Sequence, residues 1–269
     1  MKSLVSAHCA ARPGWCTSPV LCYHGHMREH VTFLVGRTRL WLQNPVPFAL
    51  LVGAALLYVA ALLSGLAEAV LESDSIVLAD EWLAYWLAAH RTPAGIGFFH
   101  AVSFLGNWQV VVPTMIVAVV LLWNSRRRSA VVMLIATIGA QAVVWLGKAG
   151  FGRPRPPAVL AVITPLNASF PSGHASISVA LYALGFYLLF RATRSARLKT
   201  LWLTLAVLFP LMIGFSRLYL GAHYLSDVLA GWGVGLWWSL VAMGVTGFTR
   251  RRWAVRDQRI DAESRRRVT

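Results

Sequence analysis

The sequence predicts an all-α, polytopic membrane protein with six transmembrane helices, and three observations carry that prediction. Of its 269 residues, 57% are hydrophobic and only 13% charged, against about 25% charged in an average soluble domain. Several apolar runs approach or exceed the ~20 residues that cross a bilayer as a helix. The 25 Lys and Arg fall in short connectors and in the tails, not in a separate basic domain. The ~10-residue alternating segments of a membrane β-barrel are missing from the pattern.

The first 45 residues are polar and basic, ending at Asn44-Pro45. Span 1 follows over about 46–67. The next stretch holds Glu68, Glu72, Asp74, Asp80 and Glu81, half of the chain's ten acidic residues, and reads as a loop. Within it, residues 82–87 (Trp-Leu-Ala-Tyr-Trp-Leu) form an aromatic piece too short to span and suited to the membrane interface. Thr92-Pro93 breaks it. A further apolar piece over 98–105 ends at Gly106-Asn107.

Span 2 covers about 109–123, reaching back to 95 if the Gly-Asn pair is only a kink. The tight basic turn Asn124-Ser125-Arg126-Arg127-Arg128 leads into span 3 at about 130–147, which ends on Lys148. A Gly- and Pro-rich connector runs to Pro171. Span 4 covers about 173–190, and Arg191, Arg194, Arg197 and Lys199 make a second basic turn. Span 5 covers about 201–220 with Pro210 as a kink, and span 6 about 226–248. The domain plan is a basic tail (1–45), one six-span domain (46–248) and a second basic tail (249–269). Met27 offers an alternative start that would remove the first 26 residues.

Six spans put both termini on one side. Loops rich in Lys and Arg stay in the cytoplasm. The two tails and the turns at 124–129 and 191–199 carry most of the Lys and Arg and fall on one face under this count. The acidic 68–81 stretch falls on the other. Both termini are therefore expected inside, in a plasma membrane. The outer ends of spans 3 to 6 then gather Lys148, Arg155, His174, Arg217 and His223.

The net charge of +15 is thus topological, and nucleic-acid binding is not expected, since no basic soluble domain with interleaved aromatics is present. Cys9, Cys16 and Cys22 lie before span 1 near His8, His24 and His26, without the paired Cys-x-x-Cys spacing of a zinc site. They read as a reduced tail. Oligomeric state has no signature in the sequence.

The outer-face residues suit holding and attacking a phosphate. Phosphoryl transfer needs charge stabilisation over three equatorial oxygens and a nucleophile in line with the leaving oxygen. Lys148, Arg155 and Arg217 supply cations, the arginines with a planar fork that grips phosphate. Ser172-Gly173-His174 opens span 4, and a helix N-terminus offers free N–H groups to an anion. Gly173 admits close backbone approach, and Ser172 can cap or donate its hydroxyl. Asp227, four residues after His223, can accept from one imidazole nitrogen and leave the other as nucleophile. Asp227 and Ser226 compete as helix N-cap, and Asp227 is assigned to His223. His174 is left as the general acid. Three cations and a helix end do the electrostatic work, so no metal or other cofactor is expected.

The pattern Lys-x6-Arg-Pro, Pro-Ser-Gly-His, Ser-Arg-x5-His-x3-Asp, carried by Lys148 and Arg155-Pro156, Pro171 to His174, and Ser216, Arg217, His223 and Asp227, resembles the type 2 phosphatidic acid phosphatase (PAP2) superfamily. Arg153 also precedes a proline, and the spacing from Lys148 selects Arg155. The resemblance covers about 46–248. It implies a helical core shared with soluble acid phosphatases and vanadium haloperoxidases, a phosphohistidine on His223 and an acid at His174. It implies hydrolysis of a lipid phosphate or pyrophosphate at the outer leaflet, with undecaprenyl pyrophosphate, phosphatidylglycerol phosphate and phosphatidic acid as candidates.

Two other functions use the same inventory. A phosphotransferase would pass the phosphoryl group to an acceptor other than water. A transporter of anions or lipids would bind phosphate in passing, although the inverted repeats common in transporters are not visible. His90, His100 and the tryptophans at 232, 237 and 238 read as interfacial or packing residues. Asn167-Ala168-Ser169 fits a glycosylation sequon that a short connector beside the site leaves unused.

Overall fold

The computed structural model of the chain describes residues 45–72 and 75–268, leaving aside the side chains of 45, 47, 48 and 248–268. The tail cysteines and Met27 lie outside the described residues. Among those described, all regular structure is helical: α1 (Pro45–Leu71), α2 (Ser75–Ala89), α3 (Pro93–Phe104), α4 (Trp108–Phe151), α5 (Gly173–Ala192), α6 (Ala196–Tyr219) and α7 (Leu225–Val268), with one 3-10 turn at Ala158–Leu160. Leu51–Arg250 forms the first of two compact units. The first holds every candidate site residue.

The acidic stretch after span 1 is not a loop. α1 runs on through Glu68 to Leu71, and α2 takes up Asp80 and Glu81. α2 buries Asp80, Ala84 and Leu87 on one side and leaves Trp82, Tyr85 and Trp86 exposed on the other. Thr92 then starts α3 as its N-cap, accepting from the Gly95 N–H at 3.1 Å, with Pro93 in the first turn. Proline is tolerated there because its missing N–H has no helical partner anyway. α3 ends at Phe104, so the 98–105 piece is a separate helix and not the start of span 2.

Among the described residues, five helices are long and apolar enough to cross a bilayer: Ala49–Leu71, Trp108–Phe151, Gly173–Ala192, Ala196–Tyr219 and Leu225–Gly247. The expected count was six. The difference lies in α4, which takes in both the second and third expected spans. α4 is not one rod. Arg126 leaves helical geometry, at φ −145° and ψ 48°. A straight helix from Asn107 to Lys148 would be ~60 Å long, yet both residues reach one site at one end of the bundle. Val111, Met115 and Leu122 of the first leg share a core with Met133, Ala136 and Ala140 of the second. The chain turns back at Arg126.

That core is completed by Ile177, Leu181 and Leu184 of α5 and Val234 and Ala242 of α7. Many buried positions are small (Ala130, Ala136, Ala140, Ala180 and Ala242 have no exposed surface) while Leu57, Leu121 and Trp145 keep more than two thirds of theirs. Small residues inside and large apolar ones outside is the arrangement of helices packed within lipid. α7 meets the start of α5 through Gly231 and Gly235. A side chain at either would run into the Ser172 or Ser176 carbonyl. The middle of α5, Ser178–Ala183, winds as a π-helix, a widening frequent near functional sites.

Candidate active site

Five helix ends meet at one end of the bundle: the starts of α4, α5 and α7 and the ends of α4 and α6. The connector between α6 and α7 is short because Gly221 sits at φ +66°, where its missing side chain also admits the Leu160 carbonyl. The Arg217 carbonyl accepts from the N–H groups of Ala222 and His223, at 3.0 and 3.3 Å. This turn sets His223 beside the last turn of α6, which carries Arg217, and at the mouth of α7, which carries Asp227.

His223 is buried, 4% exposed. Its Nδ1 faces Asp227 Oδ2 at 3.3 Å and Ser169 Oγ at 3.4 Å. Asp227 accepts only, so Nδ1 carries the proton and Nε2 the lone pair. Nε2 lies 3.1 Å from Arg155 Nη1. Burial pushes the imidazole pKa down to about 3, and Arg217 and Arg155 push the same way against the pull of Asp227. His223 is therefore neutral at physiological pH, as a nucleophile must be.

Asp227 has two jobs. It stands in the first turn of α7 and its Oδ2 accepts from the Tyr224 N–H at 2.9 Å, the reach-back of a capping box. The same oxygen takes the Ser169 hydroxyl. Oδ1 accepts from Arg153 Nη1 at 2.6 Å. The competition between cap and His223 partner is resolved by one carboxylate doing both.

Arg153 is the residue that spacing set aside. Its Nη1 also donates to Ser226 Oγ at 2.7 Å, and its Nη2 to Asp80 Oδ2 at 2.8 Å. The guanidinium lies over the Tyr224 ring at 4.6 Å. Burial acts against its charge, but Asp227 and Asp80 outweigh that and raise its pKa. Asp80 is 1% exposed and receives the Ser226 N–H at 2.9 Å and the Ser226 hydroxyl. Arg153 thus faces the carboxylates, and Arg155 faces His223. Asn167 holds Arg155 in place, its carbonyl accepting from Nε at 2.8 Å and its Oδ1 from Nη2 at 2.6 Å. The sequon residues Asn167 and Ser169 are parts of the site.

Lys148, near the end of α4, donates to the Ala168 and Ser169 carbonyls. Arg217 is 3% exposed, so it is no interfacial snorkel. One of its Nη groups donates to Ser103 Oγ, and its Nε has no partner. Ser172 is N-cap of α5 but makes no capping bond, and its buried Oγ has no partner either. A buried donor without a partner is rare, and here a buried hydroxyl and a guanidinium N–H both stand without one. Gly173 is not demanded by the protein: a side-chain carbon there would meet Val144 and Gln141 only at ordinary contact, 3.5 and 3.7 Å.

His174 Nε2 lies 2.8 Å from Asn107 Oδ1. Asn107 is the N-cap of α4, yet its side chain makes no cap bond and goes to His174 instead. The charged or titratable groups that act on the His174 ring are Arg217, His223, Arg155 and Lys148. The structure thus gathers Lys148, Arg155, Ser172, Gly173, His174, Arg217, His223 and Asp227 at one end of the bundle. Sequence reasoning missed Asp80, Ser103, Asn107, Arg153, Asn167 and Ser169. For Arg153, Asn167 and Ser169 a signal existed, since they sit beside motif residues. Asp80, Ser103 and Asn107 arrive only through tertiary packing.

Residues 128–251 match the sequence profile of the PAP2 superfamily. An undecaprenyl-diphosphatase of Sulfolobus acidocaldarius is 27% identical over 154 residues, 55% of this chain and 69% of that protein. A phosphatidylglycerophosphatase B of Bacillus subtilis is 32% identical over 84 residues, 31% of this chain and 40% of that protein. The crystal structure of a transmembrane PAP2 type phosphatidylglycerolphosphate phosphatase from Bacillus subtilis superposes with a TM-score of 0.65 at 23% identity, over 71% of this chain and 94% of that one. At that identity it speaks for the fold.

Proposed function

We propose that this chain, whose residues 128–251 match the PAP2 superfamily, is a member of that superfamily and hydrolyses the terminal phosphate of a lipid phosphate or lipid pyrophosphate through a phosphohistidine on His223. The observation that carries this reading is the orientation of His223: Nδ1 on Asp227, Nε2 toward Arg155 and away from the carboxylate. The relatives named for undecaprenyl diphosphate and phosphatidylglycerophosphate support the lipid class, as does the apolar outer surface of the helices.

Water is the one co-reactant. The phosphate sits among Lys148, Arg155 and Arg217, with the Ser172 hydroxyl and the first N–H groups of α5 at its oxygens. The His223 Nε2 lone pair forms the P–N bond as the P–O bond to the lipid breaks. The departing lipid oxygen takes its proton from His174. Water then gives a proton to His174 and forms a new P–O bond as the P–N bond breaks, releasing inorganic phosphate and neutral His223. Asp227 holds the ring throughout and stabilises its positive charge in between. Fixed cations in a site shielded from water act strongly on charge that develops in the transition state.

The reading includes six crossings, with the two legs of α4 counted separately. The basic turns at 126–128 and 191–199 then lie at the end opposite the site. By the positive-inside rule, that end and both termini are cytoplasmic, and the site opens on the outer face.

The test is phosphate release in detergent from undecaprenyl pyrophosphate, phosphatidylglycerol phosphate and phosphatidic acid, with EDTA as control. Release from at least one, unaffected by EDTA and abolished by His223→Ala, is expected. Full release by the His223→Ala protein would overturn the mechanism. Strong inhibition by EDTA would overturn its metal-free form.

A further inference from the structure

A cavity lies away from the site. It has a volume of ≈ 690 Å³ and runs between the first leg of α4, α5 and α6. Pockets of ~300–1,000 Å³ hold small organic ligands. Its walls are apolar, from Pro113 through Leu121 on α4, Gly185 and Leu189 on α5 and Phe209 on α6. Among the described residues, the one charged residue lining it is Arg126, where α4 turns back.

Its position in depth follows from the helix numbering. Leu181, the α5 residue nearest the site that lines the cavity, is seven residues beyond His174, ~10 Å along the axis. There the Tyr182 hydroxyl donates to the Leu105 carbonyl at 2.6 Å, tying α5 to the end of α3 between the cavity and His174. The cavity extends from this level, and from Pro113 on α4, to Arg126 and Ala192 at the end of the bundle opposite the site. Leu121 and Leu189 are 71% and 43% exposed, so its side is open toward hydrocarbon.

An apolar slot open to hydrocarbon and ending at a cation matches the two parts of a lipid, a chain and an anionic headgroup. Arg126 begins a run of three exposed arginines, and basic clusters at the ends of membrane helices attract anionic lipid. We propose that this cavity binds one acyl chain of an anionic glycerophospholipid from the leaflet opposite the active site, with the lipid phosphate at Arg126. This is a site separate from the phosphatase centre and independent of the function proposed for it.

The test uses the full-length protein in detergent and a phosphatidylglycerol carrying a photoactivatable diazirine in one acyl chain. Crosslinked peptides are mapped by mass spectrometry, with unlabelled phosphatidylglycerol and phosphatidylcholine as competitors. Labelling within 113–126 and 181–192 is expected, with phosphatidylglycerol the better competitor by about fivefold, the worth of one arginine near an anionic headgroup. Arg126→Gln should bring the two competitors level. Gly185→Phe should remove the labelling by filling the slot. A smaller side chain fits at 185, where its first carbon meets Met133 at 3.8 Å. Where Gly185→Phe fails to fold, Ala118→Leu serves the same purpose from the facing helix. Labelling confined to residues outside the cavity, equal competition by the two lipids in the unmodified protein, or unchanged labelling in a folded slot-filling variant would each overturn the proposal. None of these readouts depends on phosphate release, so failure here is distinct from failure of the phosphatase reading.

Discussion

Arg153 meets Asp227 at 2.6 Å, and through its other terminal nitrogen it meets Asp80 at 2.8 Å. The carboxylate that orients His223 is therefore itself anchored, through Arg153, to Asp80 of α2, which lies more than 70 residues before that arginine in the chain. Breaking a buried pair by removing one partner typically costs about 3–5 kcal/mol, because the other charge is left uncompensated. Arg153→Gln is expected to lose stability on that scale and to lower kcat. Asp80→Asn should cost less, since Arg153 keeps Asp227 and Ser226. Thermal unfolding of the two variants, together with kcat, checks this order. Equal melting temperatures for both and the parent would remove Arg153 from its anchoring role.

Asp227→Asn keeps the shape of the site and exchanges an acceptor for an amide. By analogy with oriented-histidine catalysts, turnover should fall by about four powers of ten. Steady-state phosphate release measures it, and an unchanged rate would take Asp227 out of the mechanism.

Asn107→Ala separates position from stability. A capping Asn replaced by Ala normally costs ~1 kcal/mol. Here the side chain makes no cap bond and instead fixes His174. The melting temperature should move little, while kcat falls about a hundredfold, as for a misplaced catalytic group. A drop in melting temperature with normal kcat would reverse that assignment.

Ser172→Ala removes a buried hydroxyl that has no partner within the protein. Deleting an unsatisfied buried group is neutral or stabilising. The variant should melt at or above the parent temperature, yet gain less thermal protection from added phosphate or vanadate. Equal protection in both proteins would show that the hydroxyl does not touch the anion.

The buried state of His223 also sets a pH dependence. Its pKa is about 3 in the folded protein against 6.5 when exposed. Below pH 6.5 the unfolded chain binds a proton here that the folded chain refuses. Stability from this residue is therefore complete above pH 6.5 and falls as pH drops toward 3, by at most ~1.4 kcal/mol per pH unit. Unfolding of the parent and of His223→Gln between pH 7 and 4 should show the shallower slope in the variant. Parallel slopes would contradict a neutral, buried His223.

The chemistry-bearing residues were legible because they are packed into short stretches. His223 and Asp227 are one helical turn apart, and Ser172 to His174 are consecutive. Their supports were not legible. Asp80 looked like one more charge in an acidic loop, since nothing local shows which face of α2 is buried. Asn107 looked like a turn residue after glycine, which it is, and only the approach of α5 reveals its second use. The span count depended on a different weakness. Hydropathy separates two crossings only when polar residues lie between them. Arg126 to Arg128 do, but the helical hydrogen bonding continues on both sides of a single non-helical residue, so geometry joins what charge divides.

The turn at Arg126 has a consequence for how this chain tolerates changes in length. Both legs of α4 end on site groups, Asn107 at the head of one and Lys148 near the foot of the other. Inserting one residue inside either leg rotates the rest of that leg by about 100° and shifts it ~1.5 Å. That swings either Asn107 or Lys148 out of the site relative to its own packed face. An extra residue placed at the turn itself leaves both legs in register. Insertions and deletions should thus be accepted around 124–128 and rejected within 108–122 and 132–148, a pattern that a library of single-residue insertions read out by phosphatase activity would display.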